Sequence, residues 1–260
     1  MNSALDCFMK KIILITGATS GIGKAVAWKF AENGFDLIIT GRRKERLEVL
    51  KADILSKYPV EILTLSFDVR DPDAVEKAIA GLPEPWKAID ILVNNAGLAV
   101  GLNPVHEGVI DDWERMIDTN VKGLLYMTRH VAPLMVARKK GHIINIGSVA
   151  GKEVYPNGNV YCGSKFAVDA ITKGTRMDLV SHHIKVTHIA PGAAETEFSL
   201  VRFKGDAARA NNVYMGFTPL KGEDVAGVVY FVSTLPEHVN INDLVLMPVA
   251  QASSMVIHKE

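Results

Sequence analysis

Short, almost wholly apolar runs alternate along the chain with longer stretches of helical periodicity. Lys11-Ile-Ile-Leu-Ile-Thr16, Asp36-Leu-Ile-Ile-Thr-Gly41, Ile89-Asp-Ile-Leu-Val93 and Ile184 to Ala190 have the composition of parallel strands buried on both faces. Val60 to Phe67, the run through Ile143, Ile144 and Ile146, and Leu244 to Met247 are further strand candidates. Between them, Ala25, Val26, Ala27 and Phe30 carry helical spacing that stops near Asn33-Gly34. Asp71-Pro72 opens another helix, with proline at its first position. Asp111-Asp112 is read as the cap of a long helix through Trp113, Met116, Ile117, Val121, Leu124, Leu125 and Met127. Ala167 to Val180 and Glu223 to Thr234 complete the helices. This alternation predicts an α/β fold, a doubly wound parallel sheet of about seven strands with helices on both faces.

Composition narrows that picture. A length of 260 residues suits one doubly wound unit, so residues 1–260 are read as a single domain. The residues 193–218 have little periodicity and are too long for a simple connection, which predicts a lid or substrate loop. Basic and acidic residues balance at 29 each, so nothing points to nucleic acid or an anionic membrane. No apolar run reaches the ~20 residues that span a bilayer. Met1 to Met9 lacks a basic region ahead of an apolar run, so no signal peptide is expected there. Cys7 and Cys162 are the two cysteines, far apart and without ligand spacing, which disfavours a disulfide framework or zinc and makes a reducing cytoplasm the default. The eight histidines form no ligand set, and His182-His183 reads as a polar loop before a strand.

The chemistry gathers where predicted strands end. Gly17-Ala-Thr19-Ser20-Gly21-Ile22-Gly23 lies between the first strand and its helix. Glycine there lets the backbone approach a phosphate and lets helix pack on strand, and a helix N-terminus offers free N–H groups. The spacing Gly-x-x-x-Gly-x-Gly differs from the dinucleotide fingerprint Gly-x-Gly-x-x-Gly. The second strand ends in Arg42-Arg43 with no acid for ribose hydroxyls, which favours the 2′-phosphate of NADP over NAD. Asp68-Val69 follows the third strand, where Asp68 either accepts from an adenine amino group or closes a turn. Asn94-Asn95-Ala96-Gly97 after the fourth suits a surface for a flat ring and ribose, or a turn. Asn120 is a poor helix former within a helical run, either a surface residue or an amide facing the site and holding water. Ser148 sits at a strand end, and Tyr161 lies four residues before Lys165. If one helix holds both, they share a face, and the ammonium favours the phenolate of a group whose free pKa is near ~10. A tyrosine so tuned can exchange a proton with an alcohol or carbonyl, with Ser148 bonding the same oxygen. Pro191-Gly192 ends the sixth strand.

Thr16-Gly-x-x-x-Gly-x-Gly23, Asn94-Asn-Ala-Gly97, Asn120, Ser148, Tyr161-x-x-x-Lys165 and Pro191-Gly192 together resemble the short-chain dehydrogenase/reductase family over nearly the full length. The resemblance implies an NADP-dependent oxidoreductase with Tyr161 as acid/base and Ser148 positioning the substrate oxygen. Lys165 would hold the nicotinamide ribose, Asn120 a water linking Lys165 to solvent, and Thr196 the carboxamide. Thr196-Glu-Phe-Ser199, Val201-Arg-Phe-Lys-Gly205 and Ser233-Thr-Leu-Pro236 with His238-Val-Asn-Ile-Asn242 resemble more narrowly the 3-hydroxy acid (serine or allo-threonine) dehydrogenase group. That likeness implies a small-molecule substrate and a cytoplasmic homotetramer, the long helices around Asn120 and Lys165 forming contacts. Ala193-Ala194 stands where the wider family has bulkier apolar residues, which widens the expected pocket. Arg202 is the candidate partner for a substrate carboxylate, against the alternative of an exposed arginine on a loop. Competing functions are a carbonyl or 3-oxoacyl reductase and a silent dinucleotide sensor.

Overall fold

The computed structural model describes residues 10–260; the expectations for Met1–Met9 and Cys7 lie outside the described residues. Its framework is one parallel sheet of seven strands in the order β3-β2-β1-β4-β5-β6-β7. These are β1 (Ile12–Ile15), β2 (Asp36–Gly41), β3 (Ile62–Ser66), β4 (Ile89–Asn94), β5 (Gly141–Ile146), β6 (Ile184–Pro191) and β7 (Asp243–Leu246). All four residues of β1 are buried because alternate side chains enter two separate cores. Ile13 and Ile15 join Phe30 of α1 (Gly21–Glu32) and Val225 and Val229 of α9 (Gly222–Ser233). Ile12 and Leu14 join Val75 and Ile79 of α3 (Pro72–Ala80) and Met127, Val131 and Met135 of α5 (Leu124–Arg138). Phe30 is fully buried, and its ring meets Phe35 at 4.9 Å and Tyr230 at 5.5 Å between centroids, both edge-on. Burying one such side chain contributes roughly 1.5–3 kcal/mol.

Chain order and spatial order part company beside β1. The chain runs outward from β1 to β2 and β3, then returns to lay β4 on the other side of β1. Neighbouring connections therefore diverge at the carboxyl ends of β1 and β4, leaving a crevice between them. Cap chemistry sets several boundaries as the sequence implies. Asp71 caps α3, its Oδ1 accepting from the backbone N–H of Asp73 and Ala74 at 3.0 Å, with Pro72 following. Tyr161 and Lys165 do share one helix, α6 (Asn159–Leu179).

Three expectations change. Asp111 and Asp112 lie in the first turn of α4 (Ile110–Ile117), and extended Val109 occupies the cap position. Asp112 is buried and spends its carboxylate on Lys204 at 2.8 Å. The long helical run is also interrupted by a π-helical turn, Asp118–Gly123, before α5 begins. Residues 193–218, where the sequence shows little periodicity and a lid or loop is expected, contain α7 (Phe198–Arg202) and α8 (Ala207–Asn212). Helices of five and six residues are too short for periodicity to register.

Candidate active site

Thr16, at the end of β1, holds the glycine-rich turn against the turn after β4. Its Oγ1 accepts from the backbone N–H of Asn95 at 3.0 Å and of Ala96 at 2.9 Å. The Asn95 amide donates back to Thr16 O at 2.9 Å and Gly17 O at 3.2 Å. Gly17 has φ +68°, and a side chain there would stand 3.0 Å from Ala96 Cα. Gly23 lies outside the cleft: an added Cβ would meet Asn95 Nδ2 and Gly17 O, both at 2.4 Å. It is the glycine that lets α1 close onto the turn, and Gly17 and Gly21 border the cleft itself.

The cleft has a volume of about 610 Å³. Among the expected cofactor residues, Gly17, Thr19, Ser20, Gly21, Ile22, Arg42, Arg43, Asp68, Val69, Ala96, Gly97, Pro191, Gly192 and Thr196 line it, with Ser148, Tyr161, Lys165 and Arg202 at its inner end. Arg43 donates through Nη2 to Thr19 Oγ1 at 2.8 Å and Ser20 Oγ at 3.3 Å. Arg42 stands 3.8 Å from Asp68. Burial pushes the Asp68 pKa up, but hydrogen bonds and charge from Arg70, with the charge of Arg42, outweigh it and hold the carboxyl below its ordinary value. Arg70 takes both Asp68 oxygens, from its backbone N–H at 3.0 Å and from Nε and Nη2 at 3.0 and 2.7 Å, so turn closure is the role the structure displays.

Two expected site residues have amides engaged with protein partners and do not line the cleft. Asn94 is the last residue of β4 and, by strand alternation, points inward; its Nδ2 donates to Thr128 Oγ1 at 3.0 Å and Asn145 Oδ1 at 2.9 Å. Its neighbour Asn95 is the one that faces the groove. Asn120 is buried in the π-helical turn, and its amide is spent on protein: Oδ1 accepts from Leu98 N at 2.8 Å, and Nδ2 donates to Leu98 O at 2.8 Å and Ser164 Oγ at 3.0 Å. It therefore fixes the loop after β4 against α6.

Ser148 follows β5 in extended backbone, and its Oγ accepts from Ala150 N at 3.1 Å. Lys165 is buried and donates to Ile146 O at 3.0 Å; burial lowers its pKa to about 8. Burial and the neighbouring Tyr155 phenol push the Tyr161 pKa well above its ordinary value, against smaller opposing influences of Ser148 and Arg202. Lys165 thus shares the face of Tyr161, but its ammonium is committed to Ile146 O. Arg202 is no free loop residue. Its Nη2 donates to Tyr155 OH at 2.7 Å, and its guanidinium lies 5.3 Å from the Tyr155 ring and 5.8 Å from the Tyr161 ring. Its Nε is buried and has no hydrogen-bond partner among the described residues.

The groove fits a dinucleotide phosphate. Its donors are arginines and a lysine, and α1 starts with no acid in its first turn and no side-chain cap on its N–H groups. Gly97 leaves open a space where a Cβ would stand 3.5 Å from Lys165 Nζ and 3.2 Å from Asn120 Oδ1. Sequence reasoning gave Asn95 no role apart from its motif and missed Tyr155 and the Glu197 carboxylate, which accepts from Arg46. Glu197 and Arg46 are 151 residues apart, a separation at which no local pattern links them. Asp169, His188 and Asp243 cluster within 4.8 Å, and the Lys152 ammonium bridges the two carboxylates, so that group already contains a cation.

Residues 11–205 match the family model for short chain dehydrogenase. The chain is 50% identical over 250 residues to the NADP-dependent 3-hydroxy acid dehydrogenase YdfG of Salmonella typhi, covering 95% of this chain and 99% of that protein. It is 46% identical over 244 residues to the serine 3-dehydrogenase of Agrobacterium fabrum, covering 94% and 96%. The fold superposes on the closed form of a serine dehydrogenase complexed with NADP+ with a TM-score of 0.89 and 49% identity, covering 96% of this chain and 100% of that one. With the glycine-rich turn, Ser148, Tyr161 and Lys165 gathered on one cleft, the chain belongs to the short-chain dehydrogenase family.

Proposed function

We propose that this protein is an NADP-dependent oxidoreductase that interconverts a small 3-hydroxy acid, of the serine or allo-threonine type, and its carbonyl product. The observation that carries the substrate class is Arg202, a half-buried arginine beside Tyr161 whose Nε has no hydrogen-bond partner among the described residues. A carboxylate on that fork places its own β-carbon oxygen near the Tyr161–Ser148 pair. Nicotinamide bound in the groove supplies hydride exchange at the substrate carbon. Of the residues that line the groove, Arg42 and Arg43 would answer the 2′-phosphate, Gly17 to Ile22 would hold the pyrophosphate, and Lys165, Gly97, Pro191, Gly192 and Thr196 would hold the nicotinamide end.

The protein's own residues manage the proton. Held above its usual pKa by burial, Tyr161 is protonated near neutral pH and ready to donate to a carbonyl oxygen. Taking a proton from an alcohol requires cationic help, for which Arg202, 5.8 Å from the Tyr161 ring, and Lys165, one turn along the same helix, are the candidates. Ser148 adds a hydroxyl to the same substrate oxygen. Residues 10–260 act as one functional unit, with 193–218 as its lid. We further propose a cytoplasmic homotetramer: Leu125 on α5 and Phe166, Met177 and Val180 on and just after α6 are exposed apolar side chains on the helices expected to meet a second copy. Among the described residues, no helix is long and apolar enough to cross a membrane.

Initial rates with NADP+ and NAD+ against L-serine, L-allo-threonine, 3-hydroxypropionate and a simple secondary alcohol test the reading. NADP+-dependent turnover of the acids over the alcohol is the expected result; turnover of the alcohol alone discards the substrate class. Arg202→Ala should raise KM for the acids about tenfold or more while NADPH affinity holds, as expected for a lost charge-assisted pair. An unchanged KM for every acid removes Arg202 from substrate binding. Tyr161→Phe should abolish turnover and keep NADPH binding, the opposite of a sensor that responds to ligand without it.

A further inference from the structure

We infer that Glu197 and Arg46 form a clasp that holds the lid across the cofactor groove and sets how fast NADP(H) leaves. The inference rests on the NADP reading of the groove. Thr196 packs over the glycine-rich turn, 3.2 Å from where a Gly21 Cβ would stand. The next residue, Glu197, reaches beyond the groove to α2 (Lys44–Leu55) and its cap, Arg43. Both Glu197 oxygens accept from Arg46 Nη1 at 3.0 Å, and Oε2 lies 3.5 Å from Arg43 Nη1. The chain thus crosses the groove and is fastened on the far bank.

The two arginines divide the work. Arg43 lines the cleft and also donates to Thr19 and Ser20, so a 2′-phosphate competes with Glu197 for it. Arg46 lies three residues on and outside the cleft lining, so it retains Glu197 when Arg43 turns to phosphate. The inner end of the lid is tied differently. Lys204 pairs with Asp112, whose side chain is 5% exposed, and Gly101 N donates to Arg202 O at 3.0 Å. The outer pairs are 44–48% exposed and open to screening by salt. The Glu197 pairs, exposed on both partners, are therefore the ties that yield first, while Lys204–Asp112 keeps one buried partner and Glu195 N stays bonded to Leu220 O at 2.7 Å.

Stopped-flow displacement of NADPH, followed by its fluorescence, tests this in the wild type, Arg46→Ala, Glu197→Gln and the double variant. Each single variant should release NADPH about 3- to 10-fold faster, the scale of losing a small exposed ion-pair network. The double variant should be no faster than the faster single, because both remove one contact. Salt near ~0.5 M should narrow the gap between wild type and variants. Wild-type release rates in both single variants, or rates that multiply in the double, overturn the clasp while leaving the NADP site standing. A wild type that binds no NADPH overturns the cofactor reading and the clasp with it. Arg46 is on an exposed helix face, so Arg46→Ala decides the question even if Glu197→Gln fails to fold.

Discussion

Lys165 shows how a proposed catalytic position is held at a cost to stability. Its ammonium is buried, with Ile146 O as its hydrogen-bond acceptor, and burial brings its pKa down to about 8. Below that value the folded protein carries a desolvated charge. Between about 8 and the ordinary 10.5 the unfolded chain binds a proton the folded one has released, so this residue makes stability rise with pH across that window. Lys165→Met should therefore be more stable than the wild type at pH 7, by on the order of 1–2 kcal/mol after subtracting the lost hydrogen bond. The advantage should vanish near pH 10.5. Urea denaturation at the two pH values measures it, and an equal difference at both would refute the burial argument. Residue identity at this site was legible: Tyr161 and Lys165 at i, i+4 and Ser148 at a strand end needed only periodicity. The direction of the pKa shifts was not. The sequence places a cation near Tyr161 and implies a lowered pKa, whereas enclosure of the phenol dominates and raises it.

At the scale of elements, the turn between β1 and α1 depends on close approach. Gly23→Ala would set a methyl 2.4 Å from both Asn95 Nδ2 and Gly17 O. Because one of these is backbone, the turn must shift, and NADPH affinity should fall about tenfold or more together with the melting temperature. Gly227→Ala in α9 makes the contrast: nothing lies within 4 Å of its added Cβ, so the variant should gain roughly 0.4–1 kcal/mol. Calorimetry and NADPH titration of both variants check the pair; a Gly23→Ala protein with wild-type affinity would show that the turn can yield. The glycine motif was visible in sequence, but which glycine faces the groove and which faces Asn95 followed from the packing of α1 against the turn after β4. The same limit explains Asn94 and Asn95. Both are strand-end amides, and only the inward turn of the last β4 residue separates the buried one from the one in the groove.

For the whole molecule, the sheet order explains why residues from 17 to 202 share one cleft: the reversal beside β1 opens a single crevice at the strand carboxyl ends. The outer faces of α5 and α6 keep Leu125, Phe166 and Met177 exposed, Met177 by 76%. If the tetramer forms through them, Met177→Glu should shift the species seen by light scattering from tetramer toward smaller forms, with cofactor binding retained. A wild type that scatters as a monomer would remove the proposal.

What the sequence by itself determined was the fold and the chemical inventory. Apolar runs buried on both faces, helical periodicity and glycines between strand and helix are local signals, set by spacing along the chain. Only the tertiary structure decided which polar groups remain free. Asn120 is engaged by Leu98 and Ser164, Asp68 by Arg70, and Arg202 is brought over Tyr155 and Tyr161 with its Nε unpartnered among the described residues. Burial and hydrogen-bond partnership arise between residues far apart in the chain, so they are properties of the packed molecule that local spacing does not encode.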